Sequence, residues 1–248
     1  MLIKNVADGV HLVSASFVNC YLLEDERGVT LVDTGLPGMW PELTSALAQL
    51  NHTLADLRAV VLTHAHFDHT GCAARVQQEL DLPIYAHPDD HYIAAHPYRY
   101  RRQRPAIMYP LRYPRSIKIL GAMARAGAFK VKGVSGLAPL TPNAVLDVPG
   151  RPRVVFSPGH TAGHCGLHLA DRSTVITGDA LVTLDPYTGF TGPQIVARAA
   201  TADTPQALAS LDALAATRAA TVLPGHGEVW RAGIQAAVDH AKTHHTNE

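Results

Sequence analysis

Residues 59–71 of the chain read AVVLTHAHFDHTG. The four apolar residues that open this stretch predict a buried strand, and the pattern of residues 70–80 predicts a helix. The turn between them, a place where α/β layers carry ligand sites, holds three imidazoles and one carboxylate: His64, His66, Asp68 and His69. A surface histidine cluster or a set of helix caps is the alternative, but four candidate ligands within six residues favour a metal site.

The spacing inside this turn predicts how its side chains divide. His64 and His66 are two residues apart, so on an extended backbone both imidazoles point the same way and can hold one metal ion. Asp68 and His69 lie further round the turn and do not easily reach the same face. The pattern therefore predicts a second metal ion beside the first.

The segment from His64 to His69 resembles the H-x-H-x-D-H signature of the metallo-β-lactamase-fold hydrolases. Three further motifs of that family follow in order, each after an apolar run: PGHT at 158–161, TGDA at 177–180 and PGHG at 224–227. The resemblance runs from about residue 33 to residue 227. It implies an α/β fold, an αββα sandwich of two mixed β-sheets flanked by helices, in a single domain over residues 1–248.

The same resemblance implies a set of metal ligands. His64, His66 and His160 would hold one ion, Asp68, His69 and His226 would hold the second, and Asp179 would bridge the two. Nitrogen and oxygen ligands without thiolate suit two zinc ions, with manganese or iron as alternatives. His164 lies in the same phrase as His160 but precedes the next strand, so we expect it to hydrogen-bond in the interior.

The ligand set predicts a hydrolase. A hydroxide held between two metal ions is available near neutral pH, because coordination lowers the pKa of water from about 15.7 towards about 7. We expect it to attack a small ester, lactone or thioester, and Asp68 and Asp179 are the predicted catalytic residues. A phosphodiesterase acting on nucleic acid or a nucleotide is the alternative. A binding module without catalysis is disfavoured by the complete ligand set, and a β-lactam substrate by Asp179, which true β-lactamases of the resembling family lack.

One position bears on the substrate. Acyl-homoserine lactonases that resemble this chain carry a tyrosine three residues after the bridging Asp, where its hydroxyl can hydrogen-bond the substrate. Val182 stands at that position here, and Tyr187 is the nearest phenol downstream. Weak activity on acyl-homoserine lactones is therefore expected, with better activity on another ester, lactone or thioester.

Composition sets bounds on the partners. The chain of 248 residues is 47% hydrophobic and has a formal net charge of zero, so no overall field draws it to nucleic acid or a membrane. No apolar run reaches membrane-spanning length. We expect a cytoplasmic protein with a small-molecule substrate and no membrane partner. Its three cysteines, Cys20, Cys72 and Cys165, fit buried free thiols better than a disulfide framework.

Residues 87–140 differ from the rest and are predicted to be a partly helical insert. No acidic residue occurs between His91 and Val145, a segment that holds ten of the 21 basic residues. One interpretation is a surface segment whose basic side chains pair with acidic residues of the same chain or of a partner subunit. A homodimer formed through the insert is therefore a candidate assembly. The other is a lid over the metal site that recognises an anionic substrate. Nucleic acid is not an expected partner, since no recognised binding motif appears.

The remaining chain predicts more strands and one supporting carboxylate. Four short segments before residue 33 predict sequential hairpin strands, and residues 144–148, 153–157, 165–169 and 174–177 predict four more. Asp33 ends the last of the early strands. It either caps a turn or, as the family resemblance implies, orients an imidazole of the metal site.

Overall fold

The computed structural model describes residues 1–244, and its larger sheet has seven strands. They are β1 (Leu2–Ala7), β2 (Val10–Ala15), β3 (Val18–Asp25), β4 (Gly28–Val32), β5 (Leu57–Val61), β6 (Ile84–Ala86) and β7 (Ala138–Pro139), in that spatial order. The first four strands are antiparallel hairpin neighbours, as predicted, whereas β4 to β7 run parallel. The sheet is therefore mixed.

The second sheet has four strands and is also mixed. They are β8 (Arg153–Phe156), β9 (Cys165–Leu169), β10 (Thr174–Gly178) and β13 (Thr221–Pro224). Between β10 and β13 along the chain, β11 (Val182–Leu184) and β12 (Thr191–Gln194) form a separate hairpin. Strand order is β13-β10-β9-β8, with β13 parallel to β10 and the other pairs antiparallel.

Within residues 1–244, seven α-helices complete the fold: α1 (Trp40–Gln49), α2 (Ala73–Glu79), α3 (His91–Ala95), α4 (Tyr109–Arg112), α5 (Arg115–Arg125), α6 (Thr204–Ala215) and α7 (Ile234–His244). One apolar cluster joins α1, α2 and α5 to the first sheet, a second lies between the sheets, and a third joins α6 and α7 to the second sheet. These three cores define four layers. The predicted αββα sandwich is confirmed.

Two local predictions were wrong. Residues 144–148 form no strand, and only Val145 bridges Arg153, because a turn at 148–151 with positive φ at Gly150 and Arg151 folds the segment straight back onto β8. The helix predicted from residue 70 begins at Ala73. Residues 69–71 are instead held in the site turn, where Gly71 donates its N–H to the carbonyl of Gly35.

The insert lies between β6 and β7 and contains α3, α4 and α5. At its C-terminal end, Ala138 and Pro139 pair with β6 as the last strand of the first sheet. Within the described residues, none of the helices has the length and apolar character needed to cross a membrane. All three cysteines are buried free thiols, as predicted.

Candidate metal centre

Seven polar side chains converge where four strands end. The turn after β5 carries four of them, and the turns after β8, β10 and β13 carry one each; all are buried: His64, His66, Asp68, His69, His160, Asp179 and His226. Their potential ligand atoms form three overlapping groups in which the atoms lie within 4.8 Å of one another: His64 with His66 and His160, His64 with His69 and Asp179, and Asp68 with His69 and His226. The structure thus brings together every residue that the motifs predicted.

The carboxylate of Asp179 lies at the centre of this cluster. Its Oδ1 is 3.4 Å from Nε2 of His69, and its Oδ2 is 3.5 Å from Nε2 of His160 and 3.3 Å from Nε2 of His226. One carboxylate therefore faces imidazoles from three different turns. A carboxylate so placed has both oxygens directed at candidate metal ligands.

The centre also holds polar atoms that have no protein partner. Nε2 of four of the centre's histidines and Oδ1 of Asp179 are buried without a hydrogen bond to any described residue; the histidines are His64, His66, His69 and His160. Buried polar atoms in folded proteins are rarely left unpaired. Five such atoms in one cluster of nitrogen and oxygen donors fit the coordination of divalent cations.

Hydrogen bonds at Nδ1 fix the direction of two rings. Nδ1 of His69 lies 2.9 Å from Oδ2 of Asp33, and Nδ1 of His226 lies 2.6 Å from the carbonyl oxygen of Phe17. A carboxylate and a carbonyl only accept, so each Nδ1 carries the proton that it donates. Nε2 is then the ring atom that faces the centre, where it can bind a metal ion that displaces any proton it carries.

Two further rings are held through hydroxyl groups. The hydroxyl of Thr63 donates to Asp33 and accepts from Nδ1 of His64 at 3.1 Å. The hydroxyl of Thr201 donates to the carbonyl of Val196, so it accepts from Nδ1 of His160 at 3.4 Å. Asp33 therefore orients one imidazole directly and a second through Thr63, which confirms its interpretation as an orienting residue.

The two sides of the centre differ in proton affinity. Burial lowers the pKa of His64 and His160 well below the usual value and lowers the pKa of His66 to about 4. Burial acts in the same direction on His226, but the carboxylates of Asp179 and Asp68 outweigh it and raise its pKa to about 10. Without metal, the first group of histidines is neutral at pH 7 whereas His226 holds a proton between the two carboxylates.

His164 lies next to the centre but faces the backbone. Its Nε2 accepts hydrogen bonds from the backbone N–H groups of Asp179, at 3.0 Å, and Ala180, at 3.1 Å. Its Nδ1 therefore carries the proton and donates to the hydroxyl of Ser157 at 2.9 Å. Burial lowers the pKa of His164 to about 3. The ring is a neutral interior hydrogen-bonding group, as the sequence predicted.

Asp90 is a supporting residue that sequence reasoning missed. Its fully buried carboxylate accepts from the N–H of Ala65 at 2.9 Å, the hydroxyl of Thr161 at 2.7 Å and the N–H of Gly163 at 2.8 Å. Burial raises its pKa. Asp90 thus joins the turn after β5 to the turn after β8. The available signal was its position, as the last acidic residue before the basic run that begins at Arg99.

The insert reaches the centre through Tyr100. The centroid of its ring lies 4.2 Å from that of His66. Tyr100 and Arg101 line a cavity of about 130 Å³ together with His66 and His160. Tyr187 is buried beside Tyr109 in an apolar cluster that also contains Val182, and its side chain hydrogen-bonds that of Tyr100. The phenol against His66 therefore comes from the insert, and Tyr187 lies behind it as its hydrogen-bond partner.

Gly225 leaves the space that the central carboxylate occupies. A Cβ at this position would collide with Oδ1 of Asp179 and lie 2.9 Å from Cε1 of His69. The glycine before His226 is thus required for the close approach of the last turn to the centre.

Comparison with known proteins gives a family match over most of the chain. A family model described as the metallo-beta-lactamase superfamily matches residues 13–226. The chain is 25% identical over 197 residues to the probable metallo-hydrolase YflN of Bacillus subtilis, covering 72% of this chain and 66% of that protein. It is 27% identical over 189 residues to an N-acyl homoserine lactonase of Bacillus thuringiensis, covering 67% and 62%. The match thus spans just under two thirds of the length of each relative.

Solved structures give the same result. A metallo-beta-lactamase family protein of Thermus thermophilus superposes with a TM-score of 0.70 at 26% identity, covering 96% of this chain and 79% of that one. The protein TTHA1623, solved in a di-iron-bound form, superposes with a TM-score of 0.58 at 30% identity, covering 88% and 92%. The fold and the cluster of histidine and aspartate residues together imply divalent metal ions.

Proposed function

The chain belongs to the metallo-beta-lactamase superfamily, and from that membership we propose that it is a hydrolase of a small ester, lactone or thioester that depends on two bound metal ions. The observation that carries the proposal is the set of five unpaired buried atoms around Asp179. In this assignment His64, His66 and His160 hold one ion, Asp68, His69 and His226 hold the other, and Asp179 is shared.

Zinc is the proposed metal, with manganese or iron as alternatives, because all the donors are nitrogen or oxygen. Two such ions would supply Lewis-acid polarisation of the target oxygen and a water of lowered pKa. The chain's own contribution is orientation. Asp33, Thr63, Thr201 and the carbonyl of Phe17 hold four rings with Nε2 directed inward.

Asp68 is proposed to orient the attacking water and to accept its proton. At 6% it is the most exposed of the seven side chains, so its carboxylate is the one nearest to incoming solvent. Its Oδ2 lies 3.3 Å from Nε2 of His226, and this contact fixes one carboxylate oxygen. The other oxygen is then available to a water molecule.

The insert is proposed to act as a lid that forms one wall of the substrate site. Tyr100 covers His66, and Arg101 is the cation nearest to the cavity. Tyr100 brings a phenol hydroxyl to the cavity lining, whereas Val182 has no hydroxyl and is fully buried in an apolar cluster. A cavity of about 130 Å³ with one arginine favours a small substrate that is neutral or singly anionic over a nucleic acid strand.

A substrate panel tests the function. The protein expressed with added zinc should hydrolyse at least one member of a set of γ-lactones, acyl thioesters and p-nitrophenyl esters, with weaker activity on acyl-homoserine lactones. Tyr100→Phe should lower kcat more than Tyr187→Phe, by about tenfold or more for loss of one hydrogen bond in the site. Selective turnover of bis(p-nitrophenyl) phosphate would favour a phosphodiesterase instead.

A further inference from the structure

The outer face of the insert carries exposed apolar side chains among cations. Ile107 is 82% exposed, Met108 62%, Leu111 88% and Ile117 57%. Four exposed basic residues lie among them along the chain: Arg104, Arg112, Arg115 and Lys118. We call these eight residues the insert patch. Apolar groups exposed to this extent on neighbouring turns mark an interaction surface.

The patch is presented by an anchored element. Residues 106–112 are helical, and at about 100° per residue Ile107, Met108 and Leu111 fall within an arc of about 100°. Tyr109 points the opposite way and is buried against Tyr187 and Val196. The backbone N–H groups of Gln103 and Arg104 also donate to the carbonyl of Arg198. The apolar face is therefore turned outward by contacts on its other side.

The charge around the patch has one sign. The segment from His91 to Val145 has ten basic and no acidic residues, which leaves 11 basic against 21 acidic residues in the rest of the chain. Among the described residues, none of the four patch cations takes part in a salt bridge. The zero net charge of the whole chain thus hides a local positive field, which can act on a partner within about one Debye length.

Against the expectation of no membrane partner, which rested on the net charge of the whole chain, we propose that the insert patch docks the protein on the surface of an anionic lipid bilayer. Aliphatic side chains can enter the boundary between headgroups and acyl chains while neighbouring arginines and lysines meet lipid phosphates. Self-association of the patch in a symmetric dimer would place like charges of two copies against each other, with no acidic residue between His91 and Val145 to separate them. A nucleic acid could neutralise the cations but would leave the aliphatic side chains without an apolar partner.

Docking of this kind has a geometric consequence for the cavity. Arg101 lines the cavity and Arg104 belongs to the patch three residues later. The same segment therefore connects the wall of the cavity to the lipid surface. The proposal concerns the surface alone and stands whether or not the hydrolase assignment is right.

Vesicle co-sedimentation tests the proposal with the full chain. The protein should sediment with phosphatidylcholine vesicles that contain phosphatidylglycerol, much less with phosphatidylcholine alone, and less again at high salt. Ile107→Ser with Leu111→Ser should reduce the bound fraction, and so should Arg112→Gln with Arg115→Gln, each by on the order of tenfold in partition coefficient. Ile3→Ser and Lys4→Gln are matched controls on β1, at the other end of the seven-stranded sheet, and should bind as the parent does.

Metal content and circular dichroism of each variant establish that it is folded, so that a loss of binding is assigned to the surface. Light scattering of the free protein measures whether it is a monomer or a dimer, and a dimer formed through the patch is the competing explanation. Absence of binding to anionic vesicles would overturn the proposal. A parent dimer that Leu111→Ser converts to a monomer, without any vesicle binding, would overturn it in favour of a second copy. Sedimentation that Ile3→Ser lowers equally would also overturn it.

Discussion

At the scale of single residues, the centre depends on where protons lie. Four histidines donate from Nδ1 and direct Nε2 inward, and His164 has the same protonated Nδ1 but uses its Nε2 to accept from two backbone N–H groups. The Gly-His motifs predicted His160 and His226 because each follows a strand. The hydroxyl partners Thr63 and Thr201 could not be predicted, because their roles depend on which rings the fold places beside them.

Asp179→Asn should remove hydrolysis while leaving the fold largely intact. The amide has the same shape but cannot share a negative charge between two cations, and its NH₂ would face the Nε2 atoms around it. We expect a fall in kcat of at least about a hundredfold and a loss of metal from the chain. Elemental analysis and kinetics on the same preparation measure both. Full metal content with normal kcat would contradict the shared role.

His164→Gln should change how stability depends on pH. The folded pKa of about 3 lies below the ordinary value of 6.5, so between these values the unfolded chain binds a proton that the folded chain does not. The stability from the neutral ring is complete above pH 6.5 and is lost as the pH falls from 6.5 towards 3. The variant should show a shallower decline in that window, measured by urea unfolding of the metal-free protein.

The matched control is His96→Gln, which changes an exposed histidine. It should keep the parent's slope across the same window. A His164→Gln variant with an unchanged slope would show that another buried group sets the acid sensitivity. The loss of two bonds to backbone N–H groups should also lower stability by about 1–3 kcal/mol at neutral pH.

At the scale of elements, strand ends were predictable and the supports between them were not. An apolar run followed by Gly-His or Gly-Asp marks a strand and its turn, and β5, β8, β10 and β13 all ended as predicted to within a few residues. The hydrophobic pattern of residues 144–148 also predicted a strand, but the turn at 148–151 leaves this segment with a single β-bridge, from Val145 to Arg153. The supporting role of Asp90 could not be predicted, because its three hydrogen-bond partners come from two turns that are distant from each other in sequence.

Asp90→Asn should weaken metal binding although the side chain touches no metal ligand's ring. The amide can accept from one loop, but its NH₂ group would oppose an N–H of Ala65 or Gly163. Loss of a supporting contact of this kind typically costs about 10–100-fold in metal affinity. Competition with a chelator measures the metal affinity of the variant and of the parent. Asp89→Asn, at an exposed neighbouring carboxylate, should leave the affinity unchanged, and an equal effect there would reject the bridging role.

At the scale of the whole molecule, the two sides of the centre should differ in how many protons they release when a metal ion binds. Elemental analysis should approach two ions per chain. In weak buffer near pH 7, the first equivalent of zinc should release few protons, because burial keeps His64 and His160 neutral. The second should release more, because it displaces the proton that the carboxylates hold on His226, whose pKa is about 10. A chain that never exceeds one ion would contradict the two-metal proposal.

The order of the turns along the chain has a consequence for synthesis. β13 is an edge strand of the second sheet, and His226 follows it. On the ribosome, a nascent chain that has emerged as far as α6 already contains His64, His66, His160 and Asp179 but has no His226. On the proposed ligand assignment, such a chain can capture one ion early, whereas completion of the second position must wait until β13 pairs with β10. A chain stalled at residue 220 should therefore retain zinc weakly and in a single equivalent.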